Sequence, residues 1–90
     1  MMHLINLFTI SKEEADDRID VLEKYLLDPT RTRPDINHIY DYGIFATEEL
    51  RDRAVDIQNS EERRAFERAR DAWNRCYVLL TLVEKMENRS

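Results

Sequence analysis

Apolar residues recur along this chain at intervals of three and four, the spacing of one face of an α-helix. The longest row is Ala65, Ala69, Ala72, Cys76, Leu79, Val83 and Met86, with Phe66, Trp73 and Leu80 flanking it every seventh residue. It predicts one long amphipathic helix over 60–87. Its three alanines let a second helix approach closely, as along a coiled-coil seam. A second row, Ala15, Ile19, Leu22 and Leu26, predicts a helix over 11–28. Ser11 and Glu14 have the spacing of a capping box at its start, and Pro29 ends it. Glu14–Arg18 and Asp20–Lys24 stand at ion-pairing spacing along it.

Between these rows, Pro34 suits the first position of a short helix over 34–42, and Gly43 suits the left-handed residue that closes it. Thr47 suits the cap of a further helix over 47–58, with Leu50, Ala54 and Ile57 as its stripe. Asn59, Ser60, Glu61 and Glu62 offer a new start. An unbroken helix over 47–88 would be about 60 Å long, so a break near 58–60 is expected. The reading is all-α: a small bundle of three to four helices in one domain over 1–90, with an apolar segment over 1–10 and a long C-terminal helix paired with the first.

One feature does not fit a single closed core. Val78 and Leu82 lie one turn apart, opposite the face that carries Cys76, Leu79, Leu80 and Val83. Val21 and Tyr25 repeat this more weakly on the first helix. A helix that is apolar on two faces needs cover on both. Either the segment LINLFTI folds back over Val78 and Leu82, or another chain covers them. Ile36–Phe45 adds Tyr40, Tyr42 and Phe45 around a single glycine, residue types that anchor interfaces or plug small cores.

Charge narrows the function. Nineteen acids against fourteen bases give a net charge of −5, which argues against direct binding to nucleic acid or to an anionic membrane surface. Glycine occurs once, which excludes glycine-rich phosphate loops. Cys76 is the single cysteine, so no internal disulfide forms and its place in the core row marks it as a small buried apolar residue. With His3 and His38 alone beside it, no zinc-ligand set is visible. The N-terminal apolar stretch is too short to span a bilayer and lacks a positive leader, so a soluble cytoplasmic protein is expected. Glu13/Glu14, Glu48/Glu49 and Glu61/Glu62 each fall in the first turn of an expected helix, where the helix dipole favours acids.

Arg33 and His38 have the spacing Arg-x4-His, which is similar to that of the helical HEPN ribonucleases. That resemblance implies RNA cleavage, with Arg33 stabilising phosphate charge and His38 acting as acid or base. The ordinary reading is a loop arginine and a surface histidine. An acidic decoy that occupies a nucleic-acid-binding protein is a further alternative. The leading expectation is a protein-interaction module (adaptor, inhibitor or regulator) that also forms a homodimer. It has no cofactor and no metal. Tyr40, Tyr42, Phe45, Val78 and Leu82 are its contact residues.

Overall fold

A computed structural model describes residues 3–89; Met1, Met2 and Ser90, which belong to the N-terminal segment and the end of the domain expected over 1–90, lie outside the described residues. Three helices form: α1 (Leu4–Leu27), α2 (Ile36–Ala54) and α3 (Ser60–Asn88). Pro29 and the break before 60 act as expected. The α1 chain leaves its helix at Asp28, whose N–H donates to the Lys24 carbonyl. Asn59 caps α3 by accepting from the Glu62 N–H at 2.9 Å, and Glu62 returns a carboxylate to the Gln58 N–H at 3.3 Å. This exchange keeps the buried Glu62 satisfied and starts a new helix at the expected break.

Two expectations about local signals are corrected. The first helix begins at Leu4, with His3 as its cap, and not at Ser11. Leu4, Phe8 and Ala15 continue one helical face, and Phe8 is fully buried, so tertiary burial extends the helix a full two turns past the apparent cap. The segments expected over 34–42 and 47–58 are one helix that ends at Ala54; Asp35 caps it, and Pro34 lies one residue before that cap. Gly43 does not turn the chain, and no glycine has positive φ. A Cβ there would lie 3.1 Å from the Tyr77 ring, so the glycine lets α3's tyrosine lie against the α2 backbone. Thr47 is likewise internal and donates to the Gly43 carbonyl at 2.9 Å, with its hydroxyl 3.3 Å from that of Tyr77.

The bundle runs up, down and up. Phe8 packs edge-on against Phe66 at 5.7 Å, the Trp73 indole N–H donates to Ser11 at 3.0 Å, and the Tyr25 hydroxyl donates to Glu87 at 3.1 Å. Partners therefore advance together along α1 and α3, which makes the two helices parallel. The return helix α2 is antiparallel to both: Tyr42 meets Trp73, and Leu50, nearer its end, lines the same groove as Phe8. Ala65 and Ala72 face α1, while Trp73 and Leu80 face α2. Tyr25 is buried, not on an outer face, whereas Val21 stays exposed. The molecule measures 49 × 20 × 17 Å.

Alanine is worth about 1 kcal/mol over glycine inside a helix, but at position 43 it meets the Tyr77 ring. Gly43→Ala is expected to stabilise a Tyr77→Ala variant by about that amount and the wild-type chain by clearly less. Urea denaturation of the four proteins checks this. Equal gains in both backgrounds would show that the ring yields freely.

Candidate interaction surface

The five expected contact residues do not form one patch. Tyr42 is half-buried between α1 and α3. Its hydroxyl donates to the Glu14 carboxylate, the Arg18 guanidinium lies 4.1 Å over its ring, and Trp73 packs 5.8 Å from it. The Glu14 bond first, and burial second, raise the pKa of the Tyr42 hydroxyl above its ordinary value. Arg18 does not form the expected ion pair with Glu14; it donates to the Glu14 backbone carbonyl at 2.9 Å, because its plane is held over the tyrosine. Asp20 and Lys24 do pair, at 2.8 Å.

The other four side chains face water. Tyr40 is 49% exposed, Phe45 60%, Val78 59% and Leu82 45%. Phe45 rises beside Tyr42 on the rim of a groove between α1 and α2. The groove encloses about 160 Å³, floored by Phe8, Ala46 and Leu50 and rimmed by Ile10, Glu49 and Arg53. That is well under the roughly 300–1,000 Å³ of a small-molecule site. Tyr40 lies across α2 on the other flank, edge-on to Tyr77 at 6.0 Å, where Ile44, Leu80 and Thr81 complete a second groove. Val78 and Leu82 occupy the outer face of α3. The segment 4–10 does not fold back over them, since it is the first two turns of α1 and packs at the opposite end of the bundle.

The candidate chemical residues are occupied otherwise. Arg33 grips Glu87 through two hydrogen bonds, Nε to Oε2 at 2.6 Å and Nη2 to Oε1 at 3.0 Å. It ties the 28–35 connection to the last turn of α3. His38 is exposed on the first turn of α2, and its backbone N–H serves the Asp35 cap. Cys76 is fully buried, and burial pushes its thiol up. Only Glu61/Glu62 lies in a first turn; Glu13/Glu14 and Glu48/Glu49 sit mid-helix, a correction that follows from the longer α1 and α2. Among the described residues, no three His, Cys, Asp or Glu side chains converge as a metal site would require. No helix there is long and apolar enough to cross a membrane. No protein-family model, curated protein or solved structure matches this chain.

The sequence reading missed Ile10 and Ile44, both exposed beside Phe45 and Tyr40. Ile10 could be found only once α1 was known to start at Leu4, which puts it on a helix face.

The Arg33–Glu87 contact has a pH consequence. The Arg33 hydrogen bonds, with a smaller contribution from Tyr25, hold the Glu87 carboxyl below its ordinary 4.5. A depressed carboxylate contributes stability that is complete above the unfolded value and fades as pH falls through the native one. Glu87→Gln is thus expected to be less stable than wild type at about pH 7, with the gap closing on acidification below about pH 4. Urea midpoints across that range check it; a gap that persists in acid would place the effect elsewhere.

Proposed function

We propose that this chain is a small protein-interaction module without chemistry of its own, an adaptor, inhibitor or regulator of another protein that also pairs with itself. The observation that carries the reading is the exposure of Tyr40 and Phe45 beside grooves on either flank of α2 and of Val78 and Leu82 on the outer face of α3, while the buried aromatic and aliphatic residues close on one core. Burying such a side chain is worth about 1.5–3 kcal/mol, and aromatic residues dominate the energetics of interface centres. Phe45 is the principal anchor. It stands on a tyrosine already fixed by Glu14, Arg18 and Trp73, so little side-chain freedom is lost when a partner covers it. The adjoining groove is sized for one large apolar side chain of that partner.

The module takes no cofactor, and neither nucleic acid nor a membrane is its ligand; the cytoplasm is its compartment. The bidentate hold of Glu87 on Arg33 weighs against the Arg-x4-His pair as a ribonuclease centre, because the guanidinium that would meet a phosphate is engaged.

Phe45→Asp lies on an exposed position and is expected to leave the helical circular dichroism intact, with stability changed by about 0.5 kcal/mol or less. Affinity purification from the source cells with wild-type and Phe45→Asp baits tests the reading. A stoichiometric partner retained by the first and lost by the second is the expected result. A wild-type bait that returns alone, or a partner held equally by both, overturns it.

A further inference from the structure

We infer that the groove between α1 and α2 takes a basic amphipathic helix of the partner. One apolar side chain of that helix sits beside Phe45, and its lysines or arginines meet carboxylates along α2. This names the partner's chemistry for the interaction reading above and rests on it.

The groove supplies the apolar half of the site. Phe8, Ala46 and Leu50 form its floor, and Phe45 and Ile10, 60% and 45% exposed, stand on its two walls. Helical spacing then decides what surrounds Phe45. Asp41 stands four residues before it, Glu48 and Glu49 three and four after it, and Asp52 seven after it. All four carboxylates are exposed and share its side of α2. On the α1 wall, Asp17 follows Ile10 by seven residues and is exposed as well.

The neighbouring cations do not offset these acids. Arg53 pairs with Glu49 at 3.6 Å, and Arg18 lies over the Tyr42 ring. Arg51, seven residues after Ile44, belongs to the flank of α2 that carries Tyr40 and Ile44. His3, seven before Ile10, and His38, seven before Phe45, close the face at its two ends. Among the described residues, Asp17, Asp41, Glu48 and Asp52 form no ion pair. The exposed apolar pair on α3 is set differently, since Asp71, Arg75 and Lys85 around Val78 and Leu82 carry both signs and select no partner charge.

The length and shape of the site suit a helix. The carboxylates from Asp41 to Asp52 cover about 16 Å, three helical turns. A helix with apolar residues at intervals of three and four, and bases beside them, meets the groove and the carboxylates in step. A second copy of this chain brings a net charge of −5 to an acidic face, which works against it as the occupant.

Panning a display library of helical peptides of about sixteen residues, roughly four turns, on the wild-type chain tests the inference. Enriched peptides are expected to combine apolar residues at that spacing with an excess of lysine and arginine, and to be lost on Phe45→Asp. Fluorescence anisotropy of one enriched peptide then locates the charge effect. Asp41→Asn, Glu48→Gln and Asp52→Asn together are expected to weaken binding about tenfold and to flatten its salt dependence. The triple Glu67→Gln, Asp71→Asn and Glu84→Gln on α3 changes the net charge equally and is expected to bind as wild type does. Failure to enrich any peptide, or enrichment without a basic excess, overturns the inference. So does equal binding by Phe45→Asp, or equal weakening by both triples. A wild-type dimer that dissociates on Phe45→Asp gives the groove to a second copy and overturns it too. A cellular partner held through Phe45 but indifferent to the α2 triple ends this inference alone. Basic peptides bound in the groove, with a wild-type bait that returns alone from cells, end the interaction reading alone.

Discussion

The parallel contact between α1 and α3 determines the rest of the molecule. Small residues on α3 bring the two backbones together, and the indole of Trp73 fills the space where α2 joins them. Two parallel helices cannot be linked by a short turn, so the chain must return along the bundle, and α2 is that return. Its 19 residues span about 28 Å against about 36 Å for α1. The 28–35 connection makes up the difference, and Arg33 fastens it to Glu87 at the end of α3. The placement of α2, and with it Tyr40 and Phe45, thus follows from how α1 and α3 meet.

Much of this architecture is legible in the sequence. The α3 row, the stop at Pro29 and the restart at Asn59 are local signals that nothing in the tertiary structure opposes. The misread signals share a cause. Ser11 resembles a cap but accepts the Trp73 indole N–H. Gly43 resembles a helix end but makes room for Tyr77, and Thr47 resembles a cap but lies at the Tyr77 hydroxyl. Small and hydroxylated residues serve both as helix punctuation and as seats for large aromatic side chains. Which role applies depends on what lies across the bundle, and a one-dimensional pattern does not contain that.

The candidate surface was legible to the same degree. Val78 and Leu82 could be placed outside because a single long helix fixes their angle to the core row. Tyr40, Tyr42 and Phe45 could not be separated, because their facing depended on whether Gly43 ended a helix. Once α2 runs unbroken, helical geometry sends Tyr42 towards Trp73, Tyr40 towards Tyr77 and Phe45 to the solvent rim. One glycine assignment therefore decided which tyrosine belongs to the fold and which residue is free to act.

The outer face of α3 is the feature least explained by folding. A three-helix bundle gives each helix two neighbours and leaves one side of it to water, so an apolar pair on that side has no intramolecular use. The segment that could have covered it is committed elsewhere, since Leu4–Ile10 continues α1 and buries Phe8 against Phe66. The net charge of −5 opposes any second copy at long range. A contact there must then rest on the short-range burial of Val78 and Leu82, which are 59% and 45% exposed.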